Sequence, residues 1–218
     1  ENYMHALFKI LGLDSRFQPF TLHGFQLEAL ALTANGRRLV LQEDVVGSYV
    51  RAESEFSIEG DAVFAGFGIR TPLWSWDDFK KADLRGKVLL VRVNDPGLYD
   101  PRIFTGSALT YFGRWTCKVE EAARAGALAV LLIHTTPTAG YDWQVVRNSW
   151  SGEELYLPAS LENDLKFRGW IREETLRSLL AGKRIDLERR VAGDHHVARP
   201  QRTEFGGQHQ GPVAVGDL

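Results

Sequence analysis

The chain has 218 residues, 44% hydrophobic and 25% charged, which suits one globular domain with extensions and a core of ordinary size. Its 28 acidic and 26 basic side chains leave a formal net charge of -2, without the basic surplus of an electrostatic nucleic-acid binder. No apolar run is long enough to span a bilayer.

The chain opens at Glu1-Asn2-Tyr3 without a leader pattern and reads as a mature or excised piece. Leu7, Phe8, Ile10 and Leu11 recur at helical spacing before Gly12, which predicts a helix over His5 to Leu11. Phe17 to Leu32 alternates in places, with Phe25, Leu27 and Ala29 on one face, and reads as extended. Asn35-Gly36 predicts a hairpin turn before Arg37 to Leu41. Ala62 to Ile69 is an apolar strand whose glycines mark close packing. Trp74 to Phe79 reads as a loop entering a short helical turn, and Leu84 to Lys87 as a turn. Val88 to Val93 is a buried strand ended by the turn residues Asn94-Asp95-Pro96-Gly97. The loop from Gly97 to Gly113 is long for a structureless connection.

A helix follows, with Trp115, Val119, Ala122 and Ala123 on one face and Glu120, Glu121 and Arg124 on the other. Gly126 ends it and Ala129 to Ile133 is a second buried strand. Strand, helix, strand predicts that these two strands are parallel neighbours. Tyr141 to Gly152 reads as a second aromatic loop. Glu173 to Ala181 predicts an amphipathic helix before Gly182, and Ile185 to Val191 a further short one. From Gly193 onward no periodicity remains.

Familiar catalytic patterns are absent. Gly66-Phe67-Gly68 lacks the third glycine and the following helix of a dinucleotide site, so tight strand packing is the better reading. No Gly-x-Ser-x-Gly elbow or P-loop occurs. Cys117, the single cysteine, excludes an intramolecular disulfide and reads as a structural thiol. His195-His196 has no carboxylate or cysteine at ligand spacing, and His134, at a strand end, reads as hydrogen-bonded structure. The aromatic loops leave two readings open. Tyr99, Phe104, Tyr111, Phe112, Trp115, Trp143 and Trp150, interleaved with Arg102, Arg114 and Arg147, either plug the sheet's open edges, with the arginines capping carboxylates, or form an interface rich in hot-spot residues.

An ordered series of motifs is similar to a known family. Ala65-Gly66-Phe67-Gly68-Ile69, Trp76-Asp77-Asp78-Phe79, Asp83-Leu84-Arg85-Gly86-Lys87-Val88, Val93-Asn94-Asp95-Pro96-Gly97 and Tyr111-Phe112-Gly113-Arg114-Trp115 resemble the protease-associated domain. More narrowly, they resemble the version inserted in bacterial zinc aminopeptidases of the di-zinc exopeptidase type. Ser149 to Gly152 and Gly169 to Ile171 fit the same pattern, and His5 to Phe20 resembles the segment preceding the insert.

The resemblance implies an α/β fold, an open β-barrel or sheet of the swivelling β/β/α kind flanked by helices. It divides the chain into a lead-in at 1–59, a protease-associated domain at 60–192 and a tail or linker at 193–218. It implies a parent enzyme, secreted or periplasmic, that removes N-terminal amino acids with two zinc ions. None of the six histidines begins the family's His-x-Asp motif, so no zinc set is expected in this chain. The expected partners are a covalently linked catalytic domain and peptide substrates. The expected contact residues are Tyr111, Arg114 and Trp115, with Trp143, Arg147 and Trp150 opposite. The alternatives are a freestanding peptide- or glycan-binding module and a truncated aminopeptidase.

Overall fold

The computed structural model describes residues 2–19, 23–25, 30–49, 57–80, 82–152, 154–156, 165–181, 187 and 204–208. For 23–25, 154–156 and 204–208 it describes the backbone. In chain order the N-terminal part runs α1 (Asn2–Ile10), β1 (His23–Phe25), β2 (Ala31–Ala34), β3 (Arg37–Leu39), β4 (Val45–Tyr49) and β5 (Ser57–Phe64). The middle runs β6 (Arg70–Thr71), β7 (Trp76–Asp77), β8 (Val88–Arg92), α2 (Trp115–Arg124) and β9 (Ala129–His134). Then come α3 (Thr136–Ala139), α4 (Trp143–Ser149), β10 (Glu154–Tyr156), β11 (Phe167–Arg172), α5 (Glu173–Leu179) and β12 (Glu204–Gln208). No helix of the described residues is long and apolar enough to cross a membrane.

The scaffold is an open mixed sheet of order β3-β2-β12-β5-β8-β9-β11-β4. At its centre, β5, β8, β9 and β11 are parallel, and β4 joins β11 antiparallel to complete a five-strand mixed unit. The strand–helix–strand reading of residues 88–133 matches the observed parallel pairing of Val88 with Ala129 and Leu90 with Leu131. Crossover through α2 permits that pairing, because a parallel partner is out of reach of a tight turn. The Asn-Gly hairpin also forms, with Asn35 and Gly36 at φ 50 and 75, the left-handed pair that suits strand twist.

Alternation along the strands sorts side chains onto two faces. Leu90, Leu131, Ile133, Phe167 and Ile171 pack with α5 and with Leu32 and Leu39 of the β2–β3 hairpin. Leu89, Val91, Val130, Leu132 and Trp170 pack beneath α2 and α4. Each such buried side chain contributes roughly 1.5–3 kcal/mol. β4 and β11 meet at a glycine pair, Gly47 opposite Gly169. A Cβ at Gly169 would overlap the Val46 carbonyl, and one at Gly47 the Phe167 ring.

The sheet is open, in keeping with the expected open barrel or sheet, and is not a closed barrel. Its edges are β3 and β4, and among the described residues one isolated bridge, Leu41 to Val45, ties the link between them to β4. The two edges are adjacent in sequence. Eight strands laid flat span about 34 Å, whereas the link from Leu39 to Val45 reaches at most about 20 Å. The sheet therefore curls around the hairpin-side core without zipping shut.

Several local readings differ from the structure. The loop expected at 141–152 contains α4, and its Trp143, Val146, Arg147 and Trp150 share one helical stripe. The turn at Pro72–Trp74, capped by Thr71 Oγ1, joins β6 to β7, so Trp76–Asp77 is a strand where the sequence predicts a loop entering a short helical turn. The boundary expected at 59/60 falls inside β5. Segment 193–218 contributes β12, which pairs with β2 and β5. The short helix expected at 185–191 lies outside the described residues, except that Leu187 is buried in the core.

Candidate functional site: an aromatic and arginine face

All four parallel strands point their carboxyl ends the same way, terminating at Phe64, Arg92, His134 and Arg172. Loops leaving such ends are where open α/β sheets place ligands. The six residues singled out by sequence all lie on the segments following β8 and β9.

The structure brings Trp115 and Trp150 together. Their ring centroids are 5.7 Å apart in edge-to-face geometry, joining the start of α2 to the end of α4. Both rings are half-buried against the core under the helices, as is Trp143. Each ring therefore packs on the core with one part and leaves another part open. Trp143 lies apart from that pair. Its ring meets His134 at 5.4 Å and its indole N–H donates to the Gln42 carbonyl at 2.9 Å.

Tyr111 is exposed, and its hydroxyl donates to Glu120 Oε2 at 2.6 Å, which pushes the phenol pKa up. Glu120 in turn pairs with Arg124. Arg114 is exposed at the N-terminal cap of α2, and Arg147 stands one turn before Trp150 on α4. Among the described residues, neither guanidinium makes a hydrogen bond or ion pair.

Two arginines that the sequence reading passed over complete the face. Arg168 lies over the Trp150 ring at 5.7 Å, and Arg172 over Trp143 at 6.0 Å. Each stacking is of the cation–π kind, worth about 0.5–1 kcal/mol where solvent reaches it. Arg168, Trp170 and Arg172 alternate along β11 and so share a face. That period-two pattern was the available signal. His134 Nε2 is 3.0 Å from the Tyr141 carbonyl oxygen. Burial holds its pKa below the ordinary imidazole value.

Beneath the leading edge of this face lies a buried polar knot. Asp95 is fully buried and accepts from Gly97 N at 3.0 Å, Thr110 N at 3.3 Å and Thr110 Oγ1 at 2.5 Å. It ties both ends of the long 97–113 loop. Lys118 of α2 is 1% exposed, and its ammonium donates to the Phe112 carbonyl. Burial pulls its pKa down to about 7, against the opposing pull of Asp78, Cys117, Asp95 and Glu121. Asp78 accepts from Ile69 N at 3.0 Å and its pKa is raised by burial. Gly66 and Gly68, at φ 57 and 61, let the chain turn tightly between Asp78 and Val91. Cys117 is buried, which raises its thiol pKa.

Among the described residues, no group of three or more His, Cys, Asp or Glu converges to hold a metal ion. The fold and face define an open mixed α/β domain presenting tryptophans and arginines on one side of its sheet. No family model matches the chain, and no curated protein matches it. Among solved structures it is similar to an aminopeptidase from Aneurinibacillus sp. strain AM-1, at 18% identity and a TM-score of 0.47. That match covers 100% of this chain and 39% of the aminopeptidase, a likeness too distant to carry function.

Proposed function

We propose that the chain is a non-catalytic protease-associated region that covers the active site of a covalently linked zinc aminopeptidase domain and restricts which peptides enter. The ordered motif series across residues 60–192 supports the family reading. The observation that carries the role is the pair Arg114 and Arg147, unmatched among the described residues and next to the Trp115–Trp150 contact. Arginine beside tryptophan offers bidentate recognition of a carboxylate together with apolar area. In this reading both zinc ions, and the chemistry they supply, reside in the linked domain. A secreted or periplasmic setting belongs to the same reading.

The test is the double variant Arg114→Ala/Arg147→Ala in the full-length enzyme. Exposed charge pairs are worth about 0.2–1 kcal/mol each. The ratio of kcat/KM for long over short peptides should therefore shift by roughly twofold to thirtyfold, with short-peptide turnover retained. An unchanged ratio refutes the access role. Saturable peptide or glycan binding by this chain alone, lost in the same variant, would instead favour a freestanding binding module.

A further inference from the structure

We propose that Arg114, Arg147, Arg168 and Arg172 make the aromatic face selective for peptides that bear carboxylate side chains. The inference rests on the access reading above and names the substrate class of that same face. Arg114 precedes α2, Arg147 stands on α4 between Trp143 and Trp150, and Arg168 and Arg172 alternate with Trp170 on β11. The Trp115–Trp150 contact at 5.7 Å joins the two helices, and Arg168 ties β11 to α4 by lying over the Trp150 ring at 5.7 Å.

Charge is unevenly spread over the chain. Among the described residues, these four guanidiniums meet two carboxylates on the face, Glu174, which pairs with Arg172, and the exposed Asp142. Glu120 and Glu121, further along α2, are held by Arg124. The face therefore carries a positive surplus on a chain whose formal net charge is -2. Such a surplus draws anionic ligands from within roughly a Debye length, about 8 Å at physiological salt.

The rings select the kind of anion. A nucleic-acid base binds tryptophan by stacking on an open ring face, and a sugar ring needs the same open face. Here Arg168 covers Trp150 and Arg172 covers Trp143, the latter at 6.0 Å. Trp115 and His134 meet those two rings at a steep 68° in each pair, and both indoles pack on the core as well. What the face turns outward is the planar guanidinium fork, which matches a carboxylate. A guanidinium already stacked on an indole loses less freedom on binding than a free side chain. Along β11, Arg168 and Arg172 stand ~13 Å apart by strand rise. That is two repeats of the side chains on one side of an extended peptide, so glutamates at alternate positions can reach both.

The experiment measures equilibrium binding of length-matched, N-terminally blocked peptides to the full-length protein by fluorescence anisotropy. One peptide carries glutamate at alternate positions, a second glutamine there and a third lysine. The glutamate peptide should bind roughly twofold to thirtyfold more tightly than its glutamine twin, the range open to two exposed charge pairs. That advantage should shrink as salt rises. Arg114→Ala/Arg147→Ala should abolish it, and Arg147→Glu should turn the preference toward the lysine peptide. Arg85→Ala removes an exposed charge at the opposite end of the sheet and should leave the preference unchanged. Equal affinity for the glutamate and glutamine peptides, or no binding of either, overturns the proposal. So does a loss in Arg85→Ala as large as in the double variant, or tighter binding of a single-stranded oligonucleotide or a uronate oligosaccharide. Hydrolysis of an aminoacyl reporter by the full-length protein tests the enzyme reading separately. Glutamate selectivity without hydrolysis keeps the arginine face and discards the peptidase, and hydrolysis without selectivity does the reverse.

Discussion

Lys118→Met removes a buried charge while keeping much of the side-chain volume, so its effect on stability should depend on pH. In the folded chain Lys118 loses its proton near pH 7, whereas an unfolded lysine holds its proton to about 10.4. Between those values the unfolded state binds more protons, so wild-type stability rises with pH there. Below about 7 both states carry the charge, and its burial costs the full amount. Integrating this one group from about pH 6.5 to about pH 8.5 gives a gain on the order of 2 kcal/mol in the wild type. The methionine variant has no such gain. The variant also gives up the hydrogen bond to the Phe112 carbonyl and the attraction of Asp78 and Asp95, a loss that offsets part of the relief. The diagnostic quantity is therefore the stability gap between variant and wild type, which should shift by about 2 kcal/mol in favour of the wild type across that range. Urea unfolding at matched m-values measures it. Parallel pH profiles, within about 0.5 kcal/mol, would show that Lys118 does not titrate as its burial implies.

Other perturbations probe the scaffold. Gly169→Ala should cost about 2–3 kcal/mol, because its Cβ meets the Val46 carbonyl, a backbone atom that cannot step aside; thermal unfolding measures this. Asp95→Ala leaves Gly97 N and both Thr110 donors without their carboxylate, and should cost about 2–4 kcal/mol. It should also open the 97–113 loop to limited proteolysis ahead of global unfolding. Cys117 should react with a thiol reagent at least roughly 100-fold more slowly in the folded chain than in denaturant, since the thiol is both buried and raised in pKa.

Local signals carried the parts of the fold whose partners are close in sequence. Asn35-Gly36 sufficed for a hairpin, and the apolar runs Val88–Val93 and Ala129–Ile133 around an amphipathic helix sufficed for a parallel pair. β4 was missed because Gly47 and Ser48 interrupt its apolar run, and its antiparallel partner β11 lies more than a hundred residues away. β12 contains Gly206-Gly207, which have almost no strand propensity; pairing to β2 on one side and β5 on the other makes the strand. α4 was hidden because Trp143 and Trp150 read as loop aromatics, although their spacing with Val146 is helical. Of the aromatic face, composition gave the rings but not their stacking partners, since Arg168 and Arg172 sit on a strand that was not recognised.

That division of labour determines which substitutions report on function. Trp115, Trp143 and Trp150 each bury part of the ring against the core under α2 and α4. Truncating any of them removes packing worth about 3–5 kcal/mol if fully buried, and proportionately less here. A loss of peptide discrimination in those variants would therefore conflate unfolding with lost contact. Arg114 and Arg147 contribute no hydrogen bond or ion pair among the described residues, so removing exposed Arg114 should leave the unfolding midpoint within the small range typical of surface changes, and removing half-buried Arg147 should cost only the packing of its stem. A shift in peptide selectivity at unchanged stability is thus interpretable for the arginines alone. Arg168 offers the internal control, because its guanidinium bonds Ser48 Oγ at 3.3 Å as well as covering Trp150. Arg168→Ala should lower stability and selectivity together, whereas Arg114→Ala and Arg147→Ala should separate them.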